Sequence, residues 1–345
     1  MSKSHLQGAG LFRLPRRRSQ VWRDPPDASP EAAFRERVFE RTQPICGHDL
    51  WICEREAACG ASRTSTGPKK MAGPRYAVSR HAGSREANKV DSFIGIDLAI
   101  AKGKRLPVAL CCWESGRLVP KAIAAPDAPP PPRGAGNIGV LDRTQVLRFA
   151  DDTAIYLRDL ESHFNVRIRR VAIDAPSDPR GETAPRREAE RELDRRRISC
   201  FTTPSATEFS AILLKAKEHL LAGGRQATFP HANQLWMHAG FALFERLRLE
   251  WECLEVFPQA TASVLCAGST HKSKPGGVEA QLRAAAQHTG WPKDCVRNVF
   301  KGIVWGAAHD GLDAYLAAWV AALEPTDRTP LGCPPDDVVW IPTVA

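Results

Sequence analysis

Acidic residues stand at the ends of three apolar segments of this 345-residue chain. Asp97 lies in the segment FIGIDLA, Asp174 closes the run VAID, and Asp310 with Asp313 opens the segment HDGLDAYLAAW. An ionised carboxylate in a low-dielectric interior is costly unless it meets a cation or hydrogen-bond donors. The fold must therefore supply partners for these acids, and a shared metal site would do so.

The composition is that of an ordinary globular protein, with 43% hydrophobic and 25% charged residues. There is no run of about 18 uncharged apolar residues and no apolar centre of a secretory signal, so we expect a cytoplasmic protein. The ten cysteines include no CxxC pair, and reduced thiols are expected. Cys46, His48, Cys53 and Cys59 are close together, but their spacing differs from that of the paired knuckles of structural zinc sites.

The net charge of +9 is concentrated at the amino-terminus, where residues 1–90 hold 17 Lys and Arg against 9 Asp and Glu. This segment shows no lasting period of 2 or 3.6, which is typical of disorder. We therefore predict a disordered basic leader over 1–90 and a folded domain over 91–345. For the leader, a nucleic-acid-binding arm, a solvated tail and a reading frame begun ahead of Met71 stay open.

The folded part predicts an α/β architecture. The segments FIGIDLA, LPVALCCWE and GRLVPKAIA, separated by turn residues, predict a meander of three strands. A helix over Thr144–Phe164 precedes the buried strand RRVAIDAP, which implies a crossover connection. Residues 125–137, rich in Pro and Gly, predict a loop. Further predicted elements are helices over 185–197 and 233–249, a strand over 252–258, helices over 279–288 and 309–323, and a strand over 338–341.

Each acid also has a plain structural interpretation. Asp97 would cap a neighbouring backbone group, and Asp174 would form an Asx turn before the following proline. Asp310 would be the N-cap of the last helix, with Asp313 in its first turn. Glu255, at a strand end, would be a solvated rim carboxylate. Taken together, however, these acids are the ingredients of a two-metal site, in which oxygen ligands hold Mg²⁺ or Mn²⁺ about 3.5–4 Å apart.

Six segments carry a resemblance to a known family: FIGIDLA, VAIDAP, RREAEREL, LEVFPQA, HKSKPGG and HDGLDAYLAAW. Over about residues 92–342 the chain resembles domain family 429 (DUF429), a set of predicted nucleases of ribonuclease-H-like fold. The resemblance implies a mixed five-stranded sheet flanked by helices, with its first three strands antiparallel. It is also similar to the resolvase branch of that superfamily, in which an Asp-x-x-Asp pair opens the final helix.

The resemblance, which is strongest at Asp97, Asp174 and Asp313, and the pattern of acids together predict roles for these residues. Asp97, Asp174, Asp310 and Asp313 would form the catalytic set at one end of the sheet. Asp97, Asp174 and Asp313 would bind the metal, with Glu255 as a further ligand, and Asp310 would be a ligand or would orient the attacking water.

Three more residues are candidates for substrate binding. Arg187 and Glu190 lie in the charged helix, and Lys272 lies in the segment HKSKPGG, where it would serve a phosphate. Their plain interpretations are a solvated helix face for Arg187 and Glu190 and a flexible loop for Lys272, because surface charges are seldom specific.

Three functions stay open. A metal-dependent nuclease acting on DNA or RNA is favoured by the acids and the resemblance. Sugar-kinase and actin-like ATPases share the strand topology and an Asp-bearing first strand, but Leu98 and Ala99 offer none of the glycines of a phosphate loop. The third is a binding protein without catalysis. Non-specific duplex binding usually relies on Lys and Arg contacts to phosphate, and the near-neutral domain has no excess of these residues, which favours this alternative over a nuclease.

Overall fold

The computed structural model describes residues 89–265 and 271–344. The predicted leader, apart from its last two residues, and the group of Cys46, His48, Cys53 and Cys59 lie outside these ranges. None of the helices within them is long and apolar enough to cross a bilayer. The free thiols of these ranges belong to Cys111, Cys112, Cys200, Cys253, Cys295 and Cys333.

A five-stranded mixed sheet forms the centre of the described part of the chain. Its strands are β1 (Val90–Asp97), β2 (Val108–Glu114), β3 (Arg117–Pro120), β4 (Val166–Asp174) and β5 (Glu252–Glu255). The strand order is β3-β2-β1-β4-β5. The first three strands are antiparallel, whereas β4 runs parallel to β1 and β5 parallel to β4. The predicted meander and the predicted crossover are therefore confirmed.

Helices cover the sheet, and a separate hairpin follows the last helix. The α-helices are α1 (Gly136–Gly139), α2 (Arg143–His163), α3 (Glu188–Arg195), α4 (Ala206–Leu221), α5 (Ala232–Leu235), α6 (Met237–Leu247), α7 (Pro258–Leu265), α8 (Gly277–Thr289) and α9 (Ala308–Ala322). The hairpin consists of β6 (Arg328–Cys333) and β7 (Asp337–Pro342). The predicted strand over 338–341 therefore pairs with β6 rather than joining the central sheet.

Three helices, namely the four-residue α1, α4 and α7, and one strand escaped the sequence prediction. Helix α4 buries Phe209, Ile212 and Ala216 at helical spacing, and a capping box between Ser205 and Glu208 marks its start. Helix α7 begins at Pro258, a residue suited to a first helical turn, so the strand predicted to reach that proline stops at Glu255. Strand β6 contains Pro330 and Gly332, which argue against a strand but are tolerated in a two-stranded ribbon.

The two faces of the sheet meet different helices because successive side chains of a strand point to opposite sides. Ile94 and Ile96 of β1 pack in one apolar cluster with residues of α2 and α6. Phe93, the odd-numbered neighbour, packs in a second cluster with residues of α9. Asp97 therefore belongs to the α9 side of the sheet.

Helix α9 lies unusually close to β1 at Gly95. A Cβ atom at this position would overlap the carbonyl oxygen of Ala314 and the amide nitrogen of Ala318, which are backbone atoms. The side chains of α9 that face this strand, such as Ala317, are also small. Every residue of α9 from Asp310 to Ala322 is buried. The absence of a side chain at Gly95 thus lets the helix rest on the sheet.

We predict that Gly95→Ala lowers the free energy of unfolding by about 2–4 kcal/mol, because backbone cannot move aside as a flexible side chain can. Gly181→Ala is the matched control, since a Cβ there meets nothing within 4 Å and φ is not positive. Urea unfolding followed by circular dichroism measures both variants. Equal stability of the two variants would contradict the close approach of α9.

Candidate active site

Two carboxylates lie side by side at the carboxyl ends of the parallel strands β1 and β4. Asp97 is paired in register with Asp174, as Ile96 is with Ile173. Neighbouring strands lie about 4.8 Å apart, and paired residues point to the same face. Both isoleucines belong to the cluster on the α2 side, so both aspartates belong to the α9 side. Ligands of open α/β sheets bind at this edge.

Helix α9 brings a second pair of acids to this edge. Asp310 and Asp313 lie near its start and are each 4% exposed. Asp310 accepts hydrogen bonds from the amide of Ala307 at 2.7 Å and from Lys104 Nζ at 3.0 Å. Ala307 is the N-cap of the helix. The N-cap interpretation of Asp310 is therefore wrong, since Asp310 lies in the first turn and bonds back to the N-cap amide.

Lys272 is the direct partner of Asp313. Its ammonium group donates a hydrogen bond to the Asp313 carboxylate. Although burial lowers the pKa of Lys272, the charge of Asp313 raises it, as do those of Asp174 and Asp97, and the net pKa lies above its ordinary value. Three of the predicted site acids thus act on the charge of Lys272. This residue lies in a loop, as expected, but its charge is paired rather than a non-specific surface charge.

Asp97 and Asp174 share an environment that disfavours their negative charge. Burial, followed by the charges of Asp313 and Asp310, raises the pKa of Asp97 to about 8. Burial also raises the pKa of Asp174, with added repulsion from Asp97 and Asp313. Within residues 89–265 and 271–344 no hydrogen bond to either carboxylate is found, so neither the backbone cap nor the Asx turn is present there. The two carboxylates remain open to an external cation or a proton.

The donor chemistry of this acid cluster, defined as Asp97, Asp174, Asp310 and Asp313, suits Mg²⁺ or Mn²⁺, because carboxylate oxygens are the ligands those cations prefer. The ammonium groups of Lys104 and Lys272 offset two of its four formal charges. In the described part of the chain, no group of three or more His, Cys, Asp or Glu side chains is already arranged around a metal position. The cluster therefore fits a divalent cation by charge and donor type, and binding it would require side-chain rearrangement.

Glu255 lies apart from this cluster. It pairs in register with Ile173 rather than with Asp174, so it starts on the opposite face of the sheet. Its carboxylate accepts bonds from Arg187 Nη1 at 2.7 Å and Nη2 at 3.0 Å, and from the amide of Ser177 at 2.7 Å. Arg187 is 5% exposed and Glu255 7% exposed. The interpretation of Glu255 as a solvated rim residue is therefore wrong, because it belongs to a buried bidentate ion pair.

Arg187 and Glu190 are buried as well, so the prediction of a solvated helix face is wrong for both. Arg187 Nε also donates to Asp337 Oδ1 at 3.1 Å, while Asp337 Oδ2 accepts from the amide of Glu188 at 2.6 Å. Glu190 accepts from the amide of Thr203 at 2.7 Å. Asp337 of the β6–β7 hairpin thus caps α3, a role that nothing in the sequence indicated.

A cavity of about 410 Å³ opens beside these groups. Its charged lining consists of Asp97, Asp174, Arg187, Glu190 and Glu255. An aromatic wall, made of Phe201, Trp236 and Phe257, lines it as well. The cavity therefore joins the two open carboxylates to an apolar surface, and its volume lies within the range of about 300–1,000 Å³ that is usual for ligand sites.

The sequence did not single out Lys104, Asp337 or the aromatic wall. Lys104 follows β1 in the segment AKGK, where a lysine close behind a strand-end acid was an available signal. The aromatic residues come from three separate segments, and only the fold brings them together. The other predicted residues, Asp97, Asp174, Asp310, Asp313 and Lys272, share one electrostatic cluster.

The fold and the cluster define a mixed α/β protein with an acidic site at the carboxyl edge of its sheet. A family model described as "Protein of unknown function (DUF429)" matches residues 132–338, more than half of the chain, and the protein belongs to this family. The match includes the predicted site residues from Asp174 onward and starts after β1 and Asp97, later than the predicted residue 92. No curated protein and no solved structure matches the chain.

We predict that stability without metal falls as the pH rises from about 4 to about 8. The pKa of Asp97 is raised from 3.8 to about 8 on folding, so in this range the folded protein holds a proton that the unfolded chain releases. In chelator, Asp97→Asn is expected to exceed the parent by about 1–3 kcal/mol at pH 8–9 and to equal it near pH 4. Thermal and urea unfolding across this range measure the difference.

The control for this prediction is Asp152→Asn, because Asp152 is exposed on α2. Its stability difference from the parent should not change over the same pH range. A pH-independent difference for Asp97→Asn would show that Asp97 is ionised at no cost.

We predict that Arg187→Met costs about 3–5 kcal/mol, because it leaves Glu255 buried without its cation. The double variant Arg187→Met with Glu255→Met should cost less than the single one. Arg158→Ala, which breaks an exposed bidentate pair with Glu250, should cost less than about 1 kcal/mol. Urea unfolding measures the free energy of unfolding of each variant. A change of nearly zero for Arg187→Met would exclude a structural role for the pair.

Proposed function

We propose that this protein is a metal-dependent nuclease that hydrolyses phosphodiester bonds, with Asp97, Asp174 and Asp313 as its metal ligands. The observation that carries this proposal is the meeting of these carboxylates with Asp310 at one edge of the sheet, where the two neighbouring lysines offset half of their charge. A divalent cation would neutralise the rest. Mg²⁺ and Mn²⁺ are the metals we propose.

The order of the strands supports the proposal. A sheet of order β3-β2-β1-β4-β5, with β1 to β3 antiparallel and the others parallel to β1, agrees with the ribonuclease-H-like arrangement that the sequence resemblance implies. The acids also come from the elements that the resemblance implies: the first strand, the fourth strand and the last helix. We therefore propose that this domain has a ribonuclease-H-like fold, in which helices flank both faces of the sheet.

When bound, a divalent cation would supply positive charge for the negative charge that develops on the phosphodiester oxygens. The chain itself holds Asp310 at the start of α9 through Ala307 and Lys104. This position suits Asp310 as a further ligand or as the group that orients the attacking water. With Asp313 as a metal ligand, Lys272 would be the residue that contacts a substrate phosphate.

The roles proposed for Arg187, Glu190 and Glu255 require a change of partners. Glu255 would bind metal only after it parts from Arg187, and Arg187 would bind substrate only after it parts from Glu255 and Asp337. Glu190 likewise accepts a hydrogen bond from the amide of Thr203, which it would have to give up to bind substrate. In the arrangement described, the three side chains form the wall of the cavity, and a shaping role there needs no rearrangement.

A binding protein without catalysis is the second candidate, and the lysine contacts favour it. The ammonium groups of Lys272 and Lys104 already form ion pairs with Asp313 and Asp310, and they neutralise part of the charge that a metal would neutralise. The two candidates differ in whether a divalent cation displaces Lys272. The ATPase alternative needs a cation for the phosphates close behind the first strand, and Lys104, which lies there, contacts Asp310 instead.

We predict that the purified protein cleaves nucleic acid in Mg²⁺ or Mn²⁺ and not in chelator. Labelled single-stranded, duplex, hybrid and branched DNA and RNA, resolved on denaturing gels, provide the assay. Asp97→Asn and Asp313→Asn should each lower the rate at least ~100-fold because they remove a metal ligand. The exposed control Asp152→Asn should cleave like the parent.

Cleavage by Asp97→Asn at the parental rate would contradict the proposed site. Failure to cut any of the substrates would contradict the nuclease itself, and ATP hydrolysis in the same preparation would favour the phosphotransferase alternative.

A further inference from the structure

The aromatic wall of the cavity is partly open to solvent. Phe201 is 54% exposed and lies at the cavity that Asp97 and Asp174 also line. Trp236 and Phe257 on the same wall are half-buried. Exposed aromatic rings present flat apolar surfaces, and planar ligands stack on surfaces of this kind.

The backbone around Phe201 is held in place on both sides. The carbonyl of Cys200 accepts from Arg186 Nη2 at 3.1 Å, and the carbonyl of Thr202 accepts from Gln234 Nε2 at 2.9 Å. The amide of Thr203 donates to Glu190 at 2.7 Å. The ring of Phe201 is therefore exposed on an anchored segment, which lowers the entropic cost of stacking a ligand against it.

Two arginines precede this segment. Arg196 and Arg197 are exposed, and within the described residues neither has an ion-pair partner. Their neighbour Arg195 is neutralised by Glu188 and Glu192. Phe201 follows Arg197 by four positions, so their Cα atoms lie within about 14 Å of each other. Two exposed arginines without an ion-pair partner among the described residues therefore lie close to Phe201 along the chain.

We infer that this surface binds single-stranded nucleic acid, with an unpaired base stacked on Phe201 and backbone phosphates near Arg196 and Arg197. The inference rests on the proposed function and supplies its substrate class. Aromatic rings beside free arginines are how single strands are bound, because every base presents a flat face and every nucleotide a negative charge. In a duplex both base faces are covered by neighbours, so a base would first have to be flipped out.

The size of the cavity supports the same choice. Its volume of about 410 Å³ suits a single nucleotide unit. A paired duplex would have to stay at the rim, away from the carboxylates. Single-stranded substrate therefore brings a phosphodiester bond closest to Asp97 and Asp174.

Fluorescence anisotropy with the full-length protein in EDTA tests this inference without cleavage. The probes are a labelled 12-nucleotide DNA, the RNA of the same sequence, and the duplex form of each. We expect a single strand to bind at least ~10-fold more tightly than its duplex, and the stronger of the DNA and RNA arms identifies the sugar. Phe201→Ala should weaken single-strand binding by about 5- to 100-fold, whereas Phe201→Trp should retain it.

The arginines have their own signature in the same assay. Plots of log affinity against log salt have a negative slope, and Arg196→Ala and Arg197→Ala should each reduce its magnitude by about 0.7. Two control variants should match the parent: Arg148→Ala, an exposed arginine on α2, and Trp113→Ala, a ring 40% exposed on β2. Circular dichroism melting confirms that each variant is folded.

Parental binding by folded Phe201→Ala, or duplex binding as tight as single-strand binding, would overturn the inference. A protein that cleaves nothing but binds single strands through Phe201 would overturn the proposed nuclease and leave the inference standing. If the protein cleaves nucleic acid but Phe201→Ala binds single strands like the parent, the inference is overturned and the proposed nuclease stands.

Discussion

The close approach of α9 to β1 at Gly95 is the constraint on which the arrangement of the site depends. Because a side chain at Gly95 would overlap the helix backbone, the helix axis is held against the strand that ends in Asp97. The first two turns of α9 then lie over the edge where β1 and β4 end; Asp310 lies in the first turn and Asp313 in the second. A larger separation of helix and sheet would reduce the burial of Asp97, which is the main cause of its raised pKa, and would weaken the added repulsion from Asp313 and Asp310.

That repulsion gives the site its chemistry. Four carboxylates share a partly enclosed space with the two ammonium groups of Lys104 and Lys272, so protons or cations must supply the remaining positive charge. The neighbouring Arg187–Glu255 pair differs, because both of its charges are buried and each is matched by the other. The charges on one wall of the cavity are therefore matched within the protein, whereas those on the other would be matched by the cation that we propose. This difference separates residues that build the pocket from residues that would act in it.

The sequence predicted the parts of the site that depend on local pattern. Asp97 and Asp174 follow apolar strand residues, and parallel pairing of β1 with β4 places such ends together. Glu255, Arg187 and Glu190 were harder, because their burial depends on Asp337 and Thr203, which are remote in sequence. Lys104 and Asp310 are 206 residues apart, and no spacing rule connects them. Helix α4 was missed even though its capping box was readable, because its face toward the core is narrow.

Binding of Mn²⁺, measured as thermal stabilisation of the metal-free protein during titration at pH 8, tests the central claim most directly. The account predicts a saturable rise in melting temperature for the parent and for Asp152→Asn, because a ligand that binds only the folded state stabilises it. It predicts no such rise for Asp97→Asn or Asp174→Asn. Equal stabilisation of all four proteins, or none in the parent, would contradict the claim that these carboxylates form a cation site.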